Sequence, residues 1–238
     1  MWEDKFLSNK ERKFYKDVFG QIEGAEFIEI LKLKFNPIVK SYGFSGNKNH
    51  FYKKNSPFIY TIQIFKDKYG GNCALNVGVH LLKIETGRIE LPSIPSKYNI
   101  YDCLISKNIP MNNNNSWYYY GKTTEEGIET VSIMIEMLKE KGIPFLDQFT
   151  KYPHPFDKIS LKDLEYPTEK YGKYGLSKEK LNKSYTLVFL AHFNLDFGNK
   201  DKGFKILNLV WQKECERFKN FADSPYYLKI KQLRENYR

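Results

Sequence analysis

The chain has 238 residues, a formal net charge of +10, and 41% hydrophobic and 16% aromatic residues. This apolar content excludes an intrinsically disordered chain, because burial of these side chains can offset the entropy that folding costs. No apolar stretch is long enough to span a membrane, and Glu3 and Asp4 stand where a signal peptide needs basic residues. We therefore expect a cytoplasmic protein with no membrane partner.

The cysteines bear on disulfide bonding, and the basic residues bear on nucleic-acid binding. Cys73, Cys103 and Cys215 lie far apart and form no CxxC pair, which favours reduced thiols over a disulfide framework. The chain has 33 Lys but only 5 Arg, and Arg is preferred where phosphate or guanine is recognised. Residues 40–68 and 200–238 nevertheless carry an excess of basic side chains. A solvated surface and a nucleic-acid-binding patch both stay open as interpretations.

The first part of the chain has helical patterns. Apolar residues at loosely helical spacing predict an N-terminal helix over residues 1–20. Between Ala25 and Tyr42, apolar residues recur about every three or four positions, which predicts a half-buried helix. We expect Pro37 to kink or restart this helix and Gly43 to end it.

A meander of strands should follow. Residues 50–54, 58–65 and 73–82 are rich in β-branched and aromatic side chains, and short turns separate them. Short turns favour antiparallel pairing, because parallel strands need long crossovers. Gly43–Lys48 lacks the spacing of a phosphate-binding loop, so we interpret it as a connecting turn.

The middle of the chain is predicted as loop, with one strand at 100–105 and a last strand at 116–120. After it, Thr123–Glu126 has the spacing of a capping box, in which a hydroxyl and a carboxylate each accept from a backbone amide. This motif predicts a helix that ends at Gly142, with Pro144 preventing its continuation.

The last third of the chain is predicted to be mainly helical. Ser177 is a candidate cap for one helix, a turn is expected at 197–201, and two further helices should follow. Small Ala191 and Gly203 are expected where the helices of this hairpin approach most closely.

The fold class that these patterns predict is α+β. We expect an antiparallel sheet of about four or five strands packed by helices, followed by a C-terminal helical segment. The predicted division is an α+β domain over 1–150 with its N-terminal helix, a linker or wrapping segment over 151–175, and a helical hairpin with a terminal helix over 176–238.

No common catalytic or metal motif is present in the sequence. Phosphate-binding, dinucleotide-binding, zinc-protease, nucleophile-elbow and EF-hand patterns are all missing. The histidines, His50, His80, His154 and His192, have no mutual ligand spacing. We therefore predict no catalytic residue, cofactor or metal, and expect a binding protein rather than an enzyme. A site assembled from scattered residues would escape motif reading.

Two clusters are candidate binding residues. Lys48, Lys53 and Lys54 lie among aromatic residues, a combination that can hold phosphates and stack on bases. Trp117, Tyr118 and Tyr119 are candidate anchors for a protein partner, because Trp and Tyr dominate interface hot spots. The alternative interpretations are an amphipathic strand for the lysines and a core strand for the aromatic residues.

Several short motifs lie between Ile30 and His80. They are Pro37, Gly43-Phe44, Asn49-His50-Phe51-Tyr52, Ile62-Gln63-Ile64-Phe65-Lys66 and Leu75-Asn76-Val77-Gly78-Val79. Together they resemble the bacterial domain-of-unknown-function family numbered 4304. The likeness extends through Cys103, Trp117 and Gly142-Ile143-Pro144-Phe145-Leu146, whereas the helical C-terminus from Leu176 lies outside it. Lys53 stands where that family's pattern has Arg.

The resemblance implies a binding protein, because the family has no agreed enzymatic activity and some members are thought to be immunity proteins for polymorphic toxins. Our leading hypothesis is an immunity protein that neutralises a toxin-like protein partner. Immunity proteins against basic nuclease toxins tend to be acidic, so the charge of +10 predicts an acidic or non-nuclease partner. The rival hypothesis is a basic nucleic-acid-binding accessory protein whose binding weakens with salt.

Overall fold

The computed structural model describes residues 22–67, 70–82, 99–101, 103–112, 115–151 and 153–217, with single residues 228, 231, 232, 234 and 235 beyond them. The predicted N-terminal helix over 1–20 lies outside the described residues, as does most of the predicted terminal helix. The chain forms two compact units. The first draws on Met1–Lys53, Thr61–Val77 and Asn108–Ile143, and the second on Lys54–Tyr60, Gly78–Lys107 and Pro144–Arg238.

An antiparallel sheet confirms the predicted α+β class. Its strands are β1 (Ser45–Asn47), β2 (His50–Asn55), β3 (Phe58–Lys66), β4 (Asn72–Leu81), β5 (Ile105–Ile109) and β6 (Tyr118–Tyr119). The strand order is β1-β2-β3-β4-β5, and β6 pairs with β4. Strands β2, β3 and β4 coincide with the predicted meander, because their β-branched and aromatic residues suit a pleated, largely buried surface.

Two details of the sheet differ from the sequence-based expectation. Ser45–Asn47, which we assigned to a connecting turn, is a short edge strand that pairs antiparallel with β2. Its residues have little strand propensity, so the pairing follows from the two-residue turn at Lys48, whose φ is 58°. The strand predicted at 100–105 is wrong, since β5 begins at Ile105. Ile100 is instead buried from a turn that packs against Gly78.

Two helical runs each contain a π-helical segment. The first run is α1 (Gly24–Ile30), the π segment Leu31–Phe35 and α2 (Asn36–Ser41). The second is α3 (Thr124–Met137), the π segment Leu138–Gly142 and α4 (Ile143–Asp147). Pro37 thus restarts its helix as predicted. The prediction that the second helix ends at Gly142 is wrong, because the chain stays helical to Asp147.

The two prolines explain the π segments. Proline has no N–H to donate, and its ring crowds the carbonyl four residues earlier. A wider turn ahead of the proline relieves both problems. In the first run the Asn36 N–H donates to the Leu31 carbonyl, and in the second the Ile143 N–H donates to the Leu138 carbonyl, each five residues back. Both prolines are therefore accommodated within a continuous helical path.

Short helices and a long hairpin make up most of the C-terminal part. The bounds are α5 (Leu161–Glu165), α6 (Lys178–Leu181), α7 (Ser184–Phe197) and α8 (Lys200–Arg217), with 3-10 turns at Phe156–Lys158 and Glu169–Tyr174. Ser177 caps α6 as predicted, since its side chain accepts from the Lys180 N–H. The helix predicted to run from this cap to Leu195 is interrupted after Leu181, and α7 begins at Ser184. A Cβ on Gly203 would lie 3.0 Å from the Ala191 carbonyl oxygen, which confirms the predicted close approach of α7 and α8.

Each unit has its own apolar core. In the first, Phe35 lies 6.0 Å from Phe51 between ring centroids, and Phe27 stacks on Tyr120 at 4.1 Å. In the second, Phe156 is central, with ring centroids 4.8 Å from Phe193 and similar contacts to other aromatic residues. Full burial of such a side chain contributes about 2–3 kcal/mol, so these clusters supply much of the folding free energy of each unit.

Candidate functional site

The three predicted lysines differ in their exposure to solvent. Lys48 is exposed at the turn between β1 and β2, and Lys54 is exposed near the end of β2. Lys53 is half-buried, and its Nζ donates to the Tyr42 carbonyl oxygen at 2.9 Å. The Lys53 ammonium also lies 5.9 Å from the centroid of the Phe44 ring. Only Lys48 and Lys54 of this cluster therefore present exposed ammonium groups.

The role of Lys53 follows from the end of α2. The last carbonyls of a helix have no intrahelical partner and carry partial negative charge, which a cation stabilises. Lys53 reaches that end from β2 and fixes the helix to the sheet within the first unit. A basic residue at this position is thus explained by the fold.

The predicted aromatic cluster separates into one core residue and two exposed ones. Tyr118 is fully buried, while Trp117 and Tyr119 expose 40% and 52% of their surface. Side chains alternate between opposite faces of an extended chain, so Tyr118 points into the core while its neighbours face solvent. Trp117 and Tyr119, called here the aromatic pair, form an exposed aromatic surface in the first unit.

Hydrogen bonds hold the aromatic pair in place. The Tyr118 hydroxyl donates to the Ile109 carbonyl at 3.0 Å. The Thr130 hydroxyl of α3 donates to the Tyr119 carbonyl at 2.7 Å, and the Trp117 N–H donates to Asn115 Oδ1 at 2.9 Å. The backbone that carries the pair is therefore anchored at each of its three residues. A fixed backbone lowers the entropy that a partner's binding must overcome.

The thiol and the hydroxyl buried beneath the aromatic pair are uncharged. Burial raises the pKa of the Cys73 thiol to about 12. Burial also raises the pKa of the Tyr118 hydroxyl, with a smaller contribution from Cys73. Both groups are therefore neutral at physiological pH, and the thiolate that a cysteine nucleophile requires is not formed.

In the second unit, the fold gives His154 two partners that motif reading did not identify. His154 Nε2 lies 3.1 Å from the Tyr174 hydroxyl, and His154 Nδ1 lies 3.6 Å from Asp157 Oδ1. A carboxylate and a phenol on opposite sides fix the orientation of an imidazole. The spacing of His154 and Asp157 was visible in the sequence, but Tyr174 is brought to them only by the fold.

His80 also has a defined environment. It is buried, and its Nδ1 accepts from the Leu104 N–H at 3.3 Å. Within the described ranges, no three His, Cys, Asp or Glu side chains are grouped so that they could hold a metal ion. In the same part of the chain, no helix is long and apolar enough to cross a membrane.

Comparison with protein families gives a match to part of the chain. Residues 35–148 match the model of a family described as Domain of unknown function (DUF4304). The matched segment contains Lys53 and the aromatic pair, whereas the hairpin of α7 and α8 lies beyond it. This confirms the family resemblance drawn from the sequence motifs. Neither a curated protein nor a solved structure was found that matches the chain.

Proposed function

We propose that the chain, whose residues 35–148 match the DUF4304 family model, is a protein-binding protein of immunity type that neutralises a toxin-like partner. The observation that carries this proposal is the exposure of Trp117 and Tyr119 at 40% and 52% on an anchored backbone. Trp and Tyr contribute large contact areas at low entropic cost and dominate protein interfaces. The aromatic pair is therefore the proposed anchor.

The charge of the chain restricts the partner in this proposal. Potentials across an interface are complementary, and a positive surface disfavours a basic partner. With a net charge of +10 and exposed lysines such as Lys48 and Lys54, the protein suits an acidic partner or one that is not a nuclease. The buried thiols of Cys73 and Cys103, which form no disulfide, fit a proposed cytoplasmic location.

The proposal is tested by affinity capture from the native host with the wild-type protein and a Trp117→Ser, Tyr119→Ser variant. Parallel lysates are treated with nuclease, and washes are made at low and high salt. We expect one stoichiometric protein that survives nuclease and salt with the wild type and is lost with the variant. Retention of that protein by the variant would refute the aromatic pair as anchor.

The same experiment separates the rival function. A nucleic-acid-binding protein relies on counterion release, so its ligand washes off steeply with salt. Recovery of nucleic acid that salt removes, together with loss of recovery in a Lys48→Glu, Lys54→Glu variant, would replace the protein-binding proposal. Lys53 is kept in that variant because its ammonium bonds the end of α2.

A further inference from the structure

A shallow groove of about 330 Å³ lies in the second unit, beside the first turns of α8. Three lysines and two aspartates supply its charged lining, namely Asp157, Lys158, Asp201, Lys202 and Lys205. Ile159 and Leu161 add apolar surface to the same groove. The lining therefore has one more positive than negative side chain, and the arrangement of the ion pairs determines where that charge lies.

Both aspartates of the lining already have cationic or imidazole partners. Asp201 Oδ2 lies 2.7 Å from Lys205 Nζ. Asp157 has Lys158 Nζ at 3.6 Å from one carboxylate oxygen and His154 Nδ1 at 3.6 Å from the other. Two of the three lysines are therefore matched to a carboxylate.

The next carboxylate, Asp163, is also engaged. It accepts from the Ser160 hydroxyl at 2.7 Å, the Lys170 ammonium at 3.1 Å and the Tyr171 hydroxyl at 3.1 Å. Although burial raises the pKa of Asp163, the hydrogen bonds from Ser160, Lys170 and Tyr171 hold it well below its usual range. Asp163 is thus a satisfied anion whose hydrogen-bonding capacity is used by its own neighbours.

Lys202 holds the surplus charge. Its side chain is half-buried, and among the described residues its ammonium has no hydrogen bond or ion pair. Burial lowers the pKa of Lys202, although the charges of Asp157 and Asp163 act in the opposite direction. A partly desolvated cation without a direct partner is unfavourable, and its position in the first turn of α8 adds the positive end of the helix dipole. A bound anion would relieve this imbalance.

We propose that the groove binds the phosphate group of a small phosphorylated molecule, with Lys202 as the central contact and Lys158 and Lys205 beside it. Lysine ammonium groups bind phosphate as compact point charges and need no bidentate geometry. The groove volume of about 330 Å³ lies at the lower end of small-molecule sites. Ile159 and Leu161 can contact the less polar part of such a ligand. This site is independent of the aromatic pair.

The test is a titration of the full chain with adenosine monophosphate, followed by NMR, with inorganic phosphate as competitor. Lys202→Met removes the charge and keeps the length of the side chain. Lys200→Met is the matched control, since Lys200 is exposed on the same helix end and does not line the groove. We expect saturable binding that phosphate displaces, a loss of about tenfold for Lys202→Met, and no loss for Lys200→Met.

Three outcomes would overturn the proposal. They are the absence of saturable binding, binding that phosphate fails to displace, and equal weakening by both variants, which would indicate diffuse attraction by the basic surface. Lys205→Met provides a second check, because it removes one of the two ammonium groups beside Lys202 in the groove. That variant should also weaken the binding of adenosine monophosphate, and unchanged binding would contradict the proposed cluster of lysines around the phosphate.

Discussion

The family segment, residues 35–148, and the helical hairpin of α7 and α8 differ in what holds their elements in place. In the family segment, side chains fix the backbone at chosen points: Lys53 bonds the end of α2, and Tyr118 bonds the Ile109 carbonyl. In the hairpin, the two helices approach so closely that a Cβ on Gly203 would lie 2.9 Å from the Leu195 amide nitrogen. The hairpin therefore depends on the close packing of its two backbones.

This difference indicates where function and fragility lie. A backbone anchored by side-chain hydrogen bonds can carry exposed aromatic residues without losing their geometry, as Trp117 and Tyr119 illustrate. A closely packed hairpin should respond strongly to added volume. The following substitutions compare the two regions.

The largest effect is expected from Gly203→Ala in the hairpin. The new Cβ would lie 2.9 Å from the Leu195 amide nitrogen and 3.0 Å from the Ala191 carbonyl oxygen, and backbone atoms cannot move aside easily. We expect the free energy of unfolding to fall by about 2–3 kcal/mol, measured by chemical denaturation.

Gly127→Ala in α3 is the counterpart in the family segment. Its Cβ would meet the Cδ1 atoms of Ile22 and Ile30 at 2.7 and 2.9 Å, which are flexible side-chain ends, and one backbone atom, the Tyr120 carbonyl oxygen, at 3.1 Å. The expected loss is about 1 kcal/mol. Gly24→Ala is the control, since its nearest neighbour atom lies at 3.8 Å on Tyr120 and no loss is expected. Equal losses at Gly127 and Gly203 would remove the contrast between the regions.

Lys53→Met should lower stability by about 1–2 kcal/mol, because it leaves the Tyr42 carbonyl without its charged donor. Lys54→Met, next to it in β2, should leave the unfolding free energy unchanged, since Lys54 is exposed. Both variants are compared by thermal unfolding. Matching effects would mean that Lys53 does not fix α2 to the sheet.

Tyr118→Phe and Tyr119→Phe are expected to have smaller effects on stability. The first removes the hydroxyl that donates to the Ile109 carbonyl and should cost about 1 kcal/mol. The second removes a hydroxyl from a side chain that is 52% exposed, and no change in stability is expected. If Tyr118→Phe is as stable as the wild type, the hydrogen bond does not anchor the aromatic pair.

The smallest effect concerns pH and His192 in α7. Burial lowers the pKa of His192, although the charge of Asp196 raises it in part. The folded state therefore binds the proton less readily than the unfolded state, so His192 contributes stability above about pH 6.5 that is lost as the pH falls through the folded pKa. His192→Gln should show less destabilisation between pH 7 and pH 5 in denaturant titrations. If the free energy of unfolding of the variant depends on pH as that of the wild type does, His192 is not a cause of the pH dependence.

The sequence indicated the regular parts of the family segment and not the interruptions. Runs of β-branched and aromatic residues identified β2, β3 and β4, and the Thr123 capping motif identified the start of α3, because these signals are local. Edge strand β1 and the π segments escaped prediction, since pairing with β2 and relief of proline crowding are not encoded by local propensity. A tripeptide of adjacent aromatic residues likewise gave no signal that Tyr118 would be buried between two exposed neighbours.

The groove was invisible for a different reason. Asp157 and Lys202 are distant in sequence and meet only in the folded second unit. Motif reading searches for fixed local spacings, so a charge imbalance between separate segments cannot be found in this way. The excess of basic residues over 200–238 did not indicate that the ammonium group of Lys202 would have no direct partner among the described residues.

The most direct test of the proposed role compares exposed aromatic residues inside and outside the family segment. With a captured partner, its dissociation constant is measured for the wild type, for Trp117→Ser with Tyr119→Ser, and for Tyr166→Ser with Tyr185→Ser. The second pair lies outside the family segment and is exposed by 71% and 38%. We predict a loss of about a hundredfold or more for the first pair and none for the second. Equal affinities for all three proteins would contradict the proposal that the aromatic pair anchors the partner.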